Sequence, residues 1–137
     1  VATISDEPDL QHGDLRFSRG ELLDLKHGLI SRRLYVDEEL YQQEMRQIFH
    51  HTWLFLGHTT QLPKPGDFIT TYMGEDPVVV WRDVRGQIHA FLNTCPHRGN
   101  KLALYDKGKA ASLICSYHGW TFNSQGQLTG VPFFNEA

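Results

Sequence analysis
The chain has 137 residues, of which 40% are apolar and 21% charged, the size and balance of one globular domain with little room for a second. No run of about 18 apolar residues is present to span a membrane. Thirteen Lys and Arg against 16 Asp and Glu argue against a nucleic-acid binder driven by bulk charge.

In chain order, Val1 stands where Met would open a gene product, so the natural N-terminus is expected upstream. No basic stretch leads into an apolar one near it, so no secretory signal is visible and a cytoplasmic protein is expected. Residues 1–17 mix charge, Pro8 and Gly13 without a period and read as an arm. Ser18-Arg19-Gly20-Glu21 has the capping-box pattern, predicting a short helix through Leu22, Leu23 and Leu25 that stops at Gly28. A better helix begins at Asp37, where Tyr41, Met45, Ile48, Phe49 and Thr52 recur at three- and four-residue steps. That stripe is expected to pack against a core, with Asp37 as cap and Glu38 and Glu39 at the positive end of the dipole.

After Trp53 the texture changes. Pro63-Lys64-Pro65-Gly66 is a turn cluster, and Phe68 to Tyr72, Pro77 to Arg82 and Ile88 to Leu92 are β-prone runs. Asp83 to Gln87 reads as a hairpin loop, and shorter runs follow at Ser112 to Cys115, Thr121 to Phe122 and Leu128 to Thr129. Short strands with frequent turns predict a mainly β chain, a small antiparallel sandwich or barrel behind an N-terminal helical segment. The expected division is an arm and helix over 1–53 and a β domain over 54–137.

Two cysteines rule out a disulfide-rich scaffold and a four-cysteine zinc or ferredoxin site. Both sit beside a histidine: Cys95-Pro96-His97 is C-x-H and Cys115-Ser116-Tyr117-His118 is C-x-x-H. Each pair lies just past a predicted strand, in a turn rich in Pro or Gly, so two neighbouring loops can bring two thiolates and two imidazoles together. Zinc with two Cys and two His usually takes like ligands from each loop. Here each loop supplies one of each kind, which fits a [2Fe–2S] cluster with two Cys on one iron and two His on the other.

Cys95-Pro96-His97-Arg98-Gly99 and Cys115-Ser116-Tyr117-His118-Gly119-Trp120 resemble the two cluster-binding boxes of Rieske proteins. The run from Tyr41 through Glu44, Ile48, Phe49, Trp53, Phe55, Leu56 and Gly57 to His58 resembles the segment that leads into the Rieske domain of ring-hydroxylating dioxygenase large (alpha) subunits. So do Pro65-Gly66-Asp67-Phe68, Met73-Gly74-x-x-Pro77-Val78 and Phe91-Leu92-Asn93. The resemblance covers roughly residues 30 to 133; stand-alone Rieske ferredoxins share the boxes but lack the long helical approach. One departure is Pro96-His97-Arg98-Gly99-Asn100, where the family often has Arg before the His and Met after the Gly; the ligand set is unaffected.

The resemblance implies a Rieske iron–sulfur fold with Cys95, His97, Cys115 and His118 as ligands. Arg98, Tyr117 and Trp120 are expected around the cluster or on the electron path, the alternatives being plain packing for Tyr117 and Trp120 and a carboxylate partner for Arg98. High-potential respiratory Rieske proteins carry a Ser after the second His-Gly and a disulfide between the boxes. Trp120 replaces that Ser here and no cysteine is left over, so a potential near the low end of the Rieske range, about −150 mV, is expected. His58 is expected to be structural, His50 and His51 to lie at the surface, and His12, His27 and His89 show no partner pattern.

A ring-hydroxylating oxygenase also holds a mononuclear iron on two His and one carboxylate. The family's Asp-x-x-His-x-x-x-x-His run is absent, and the adjacent histidines of Glu44 to His51 cannot both face one metal from a helix. The chain ends at Ala137, where that catalytic domain would begin, so it is expected to be the Rieske part of a larger subunit and to contain no catalytic residue of its own. The implied role is to take electrons from a ferredoxin or reductase for dioxygen-dependent cis-dihydroxylation of an aromatic substrate. The resemblance further implies a trimer of alpha subunits, with or without beta subunits, in which His118 faces a neighbour's iron through a bridging carboxylate. The alternatives are a stand-alone Rieske ferredoxin and, from a different class, a zinc-stapled binding module. No nucleic acid and no membrane is expected as partner.

Overall fold
The densest β-branched and aromatic sequence, from Phe68 to Leu92, forms the centre of the largest sheet. A computed structural model describes residues 19–133, and the chain divides after Glu44 into two units.

In the first unit, α1 (Arg19–Leu22) lasts a single turn. It gives way to a hairpin of β1 (Leu23–Asp24) and β2 (Leu29–Ile30), so the helix expected to run through Leu25 is cut short. Asp24 accepts the backbone N–H groups of Lys26 and His27, each at 3.1 Å, and Gly28 turns with φ 66°. Such local side-chain bonds offer the backbone an alternative to the helix. Ser18, the expected cap, lies outside the described residues. A 3-10 turn over Arg32–Tyr35 follows, then α2 (Glu38–Glu44). Asp37 caps α2 as expected, its Oδ1 accepting from Glu39 N at 3.1 Å and Leu40 N at 3.3 Å. The Arg33 guanidinium, 3.0 Å from the same carboxylate, is the largest cause holding Asp37 below the usual aspartate range.

The second unit opens on a π-helical turn, Met45–Phe49, in which His50 N donates to Met45 O at 3.0 Å. Here the expected stripe fails. Met45 is buried, but Tyr41, Ile48 and Phe49 are 37%, 49% and 36% exposed, and Thr52 is exposed as well. A π turn, with its i→i+5 bonding, takes more residues per turn than an α-helix, so the three-residue step from Met45 to Ile48 leaves the buried face. His50 and His51 are exposed, as expected. His58 caps the 3-10 turn Thr59–Gln61, the structural part foreseen for it.

Two antiparallel sheets follow. The larger has the order β5-β4-β3-β6, and the smaller β7-β8-β9. Their strands are β3 (Asp67–Met73), β4 (Asp76–Arg82), β5 (Ile88–Leu92), β6 (Lys107–Lys109), β7 (Leu113–Ile114), β8 (Thr121–Phe122) and β9 (Leu128–Gly130). Strand β4 is central and buried on both faces, which is why Val78-Val79-Val80-Trp81 reads as a continuous apolar run. Val79 and Trp81 join Phe68, Leu102, Leu113, Phe122 and both cysteines in one core. Val78 and Val80 face a second core with Leu62 and Ile69. The first core takes residues from both sheets, giving the expected small antiparallel sandwich. Trp81 is fully buried, and its indole N–H donates to Gly66 O at 3.0 Å, so the ring is buried without orphaning its polar atom.

Candidate metal centre
The two boxes are built to one plan. Residues 95–100 are closed off by the antiparallel bridge of Thr94 with Lys101, and residues 115–120 by the pairing of Ile114 with Thr121 at the end of β7 and β8. In the first, Cys95 N donates to Asn100 O at 2.8 Å and Gly99 N to Cys95 O at 2.8 Å. In the second, Cys115 N donates to Trp120 O at 2.8 Å and Gly119 N to Cys115 O at 2.9 Å. The glycines have φ 71° and 73°, a left-handed backbone that disfavours other residues. Within this shared frame the histidine is two residues past the cysteine in one loop and three in the other.

The frame sorts the donors by depth. Cys95 and Cys115 are 1% and 2% exposed and are free thiols. His97 and His118 lie outside them at the surface, with ring centroids 4.6 Å apart. Burial alone would push the Cys115 thiol up. The N–H groups of Tyr117 and His118, the Cys95 thiol and the Asn100 amide outweigh it and hold Cys115 below its ordinary value, which favours the thiolate a metal requires. His118 is also held low, by partial desolvation and then by repulsion from His97 and Arg98, which favours the neutral imidazole a metal requires.

The resulting donor set is a buried thiol pair beneath an exposed imidazole pair. Two thiols and two imidazoles are the donor set of a two-iron cluster with mixed ligation, so the residues present fit the group that the boxes imply.

The surrounding residues divide. Trp120 stacks on His97, centroids 4.8 Å apart and planes 7° from parallel, while also packing against the main core. Tyr117 stacks on His118 at 3.8 Å. Arg98 is exposed and contributes charge near His118. Beneath the first box, Asn93 is 1% exposed; its amide donates to Ala103 O at 2.9 Å and accepts from Ala103 N at 2.7 Å, closing residues 94–102. No sequence pattern marks Asn93 or Asn100 as a functional candidate, and none announces a partner for His27 or His89. His27 pairs with Asp24 at 2.7 Å and His89 with Asp83 at 3.0 Å. His12 lies outside the described residues.

The sequence pattern of the Rieske [2Fe-2S] domain matches residues 52–136. The chain is 51% identical over 117 residues to the alpha subunit of biphenyl 2,3-dioxygenase from Rhodococcus jostii, a match over 85% of this chain and 25% of that protein. It is likewise 51% identical over 116 residues to the benzene 1,2-dioxygenase alpha subunit of Pseudomonas putida, covering 85% of this chain and 26% of that one. Among solved structures, naphthalene 1,2-dioxygenase with indole in its active site superposes with a TM-score of 0.69 at 51% identity, over 72% of this chain and 22% of that one. A quaternary ammonium Rieske monooxygenase in complex with L-carnitine superposes with a TM-score of 0.67 at 33% identity, over 74% of this chain and 29% of that one. The chain thus spans about a quarter of the length of the curated relatives it matches.

Proposed function
This chain belongs to the Rieske [2Fe–2S] family, and from that premise we propose that it is the electron-transfer domain of an aromatic-ring-hydroxylating oxygenase. Cys95 and Cys115 hold one iron and His97 and His118 the other. When bound, such a cluster supplies a one-electron store at a potential above that of all-thiolate clusters. The carrying observation is the depth sorting of the donors, with thiols 1% and 2% exposed beneath imidazoles at the surface. The buried cysteines anchor the site in the core. The exposed histidines present it to redox partners, with Trp120 and Tyr117 covering one ring each and limiting water.

The same reading divides the protein into an arm and helix over 1–53 and a Rieske domain over 54–137. It places the mononuclear iron and the arene pocket in a further domain, and the electron donor in a ferredoxin or reductase. Neighbouring alpha subunits are the assembly partners, as a trimer with or without beta subunits, in the cytoplasm. No helix among the described residues is long and apolar enough to cross a membrane. An arene is favoured over a quaternary ammonium substrate by 51% identity to the benzene dioxygenase subunit against 33% to the carnitine-bound enzyme. A free ferredoxin is disfavoured because the biphenyl dioxygenase match runs over 117 residues, longer than the stretch 52–136.

The test is metal analysis and spectroscopy of the chain produced with iron and sulfide available. One [2Fe–2S] per chain, a Rieske-type spectrum and uptake of one electron from dithionite are expected. Cys95→Ser, Cys115→Ser, His97→Ala and His118→Ala should each abolish it, because ligand binding and loop folding are coupled. A colourless zinc protein, or a Rieske spectrum retained in both histidine variants, overturns the assignment. Benzene, biphenyl and naphthalene should pass unchanged through the loaded chain, with cis-diol formed only by a polypeptide of the relatives' full length.

A further inference from the structure
Asn100 is tied to both cysteines. Its carbonyl accepts Cys95 N–H at 2.8 Å. Its side chain crosses to the other box, where Nδ2 lies 3.6 Å from Cys115 Sγ and 3.1 Å from Ser116 Oγ, and it also reaches Lys101 O at 3.2 Å. The first distance is ordinary for a hydrogen bond to sulfur, whose radius exceeds that of oxygen. The side chain is half-buried, so water competes weakly with the contact. The other groups that bear on the charge of the Cys115 thiol are two main-chain N–H groups, of Tyr117 and His118, and the Cys95 thiol. Those N–H groups come with the loop whatever its sequence, and the thiol belongs to a proposed ligand. The amide of Asn100 is the contact that the sequence is free to choose.

We propose that Asn100 is a positioning residue that sets the reduction potential of the cluster through Cys115, an inference that rests on the Rieske reading above. A donor N–H is held more strongly by a sulfur that carries more negative charge. Reduction by one electron, supplied by dithionite or a one-electron donor protein, adds negative charge to the cluster and its ligands. No covalent bond changes and the amide keeps its protons. The contact therefore stabilises the reduced form more than the oxidised one and raises the potential, as hydrogen bonds to the sulfurs of such clusters do. The anchor on Ser116 fixes the amide, so little reorganisation accompanies the electron.

The experiment is a redox titration of the cluster-loaded full chain, followed by absorbance or electron paramagnetic resonance, for the unaltered protein and Asn100→Leu. Leucine keeps the branched shape and removes the donor. At a fixed ambient potential the ratio of reduced to oxidised cluster should fall about three- to tenfold, tenfold being about 59 mV for a one-electron couple. A ratio unchanged in Asn100→Leu, with the Rieske spectrum intact, overturns the role of Asn100 and leaves the functional reading standing. Absence of a Rieske spectrum from the unaltered protein overturns both. Should Asn100→Leu fail to load, the unaltered reduced protein labelled with 15N at the asparagine side chain decides. Pulsed electron paramagnetic resonance should detect coupling to a side-chain 15N, and its absence overturns the proposal.

Discussion
Asn100 and Trp120 occupy equivalent places in the two boxes, and each reaches across to the other. Each is the last residue of its loop, and each carbonyl accepts its own cysteine's N–H at 2.8 Å. Asn100 turns its amide to Cys115 Sγ, whereas Trp120 lays its ring on His97. The exchange locks two loops that are far apart in sequence, through a polar contact at the thiol level and an aromatic one at the imidazole level. Trp120→Ala removes the aromatic contact and part of the core packing. Because the ring is half-buried, the cost should be about 2 kcal/mol, below the ~3–5 of a fully buried aromatic. Urea unfolding should show that loss, and the colour of the loaded chain should bleach faster in air because water gains the open face of His97.

The two loop glycines should not respond alike to substitution. Gly99 and Gly119 share a left-handed φ, so alanine is strained at both by about 1–2 kcal/mol. A Cβ at Gly99 would meet nothing within 4 Å, but one at Gly119 would lie 2.7 Å from Pro132 Cγ. Gly119→Ala must therefore also displace the chain after β9. Thermal melts should rank Gly119→Ala below Gly99→Ala; equal losses would show that Pro132 yields freely.

Asn93 sits below the first box as a buried clamp. Leucine of similar size would leave the N–H and C=O of Ala103 without their side-chain partner, at about 1–3 kcal/mol for each buried group. Ala103 is itself 2% exposed, so water cannot readily substitute. Asn93→Leu should lower the urea midpoint by an amount corresponding to about 3 kcal/mol. It should also reduce iron incorporation, because the clamp closes the segment carrying Cys95 and His97. Full loading with unchanged stability would remove Asn93 from the account.

Strands β3 to β5 were legible because their burial is written in residue type. Val79 and Trp81 face one core and Val78 and Val80 the other, and the Asp83–Gln87 turn has its Gly. The boxes were legible because Pro96, Gly99 and Gly119 mark turns next to unusual Cys-His pairs. Strand β6 was not, since Lys107-Gly108-Lys109 has neither alternation nor apolar content. It pairs with β3, and a Cβ on Gly108 would fall 2.7 Å from the Phe68 ring, so tertiary packing selects it. The π turn at Met45 and the β1–β2 hairpin likewise depend on backbone bonding that the spacing of apolar residues does not encode. The Asn100 amide contact joins residues of two loops, and no local pattern announces it.

The turn between β4 and β5 predicts a pH response separate from the metal centre. Asp83 is 2% exposed. Its carboxylate faces His89 at 3.0 Å and accepts from Arg85 N at 2.9 Å and Gln87 N at 2.8 Å. The hydrogen bond to His89 is the largest cause holding this carboxyl below the usual aspartate range; burial opposes it, and the two backbone N–H groups add to it. A carboxyl whose value is lower folded than unfolded binds protons more readily when unfolded. Its stabilisation is therefore complete above the unfolded value of about 3.9 and disappears as the pH falls through the lower folded value. Acid also protonates the proposed metal ligands, so the informative quantity is the difference in melting temperature between the unaltered chain and Asp83→Asn. Asparagine keeps the size and still accepts from Arg85 and Gln87, but it loses the charge facing His89. The difference should be constant and positive from about pH 5 to 6, then shrink below about pH 4 as Asp83 becomes neutral. A gap between the two chains that stays constant down to pH 2 would show that the Asp83 charge contributes nothing to the hairpin.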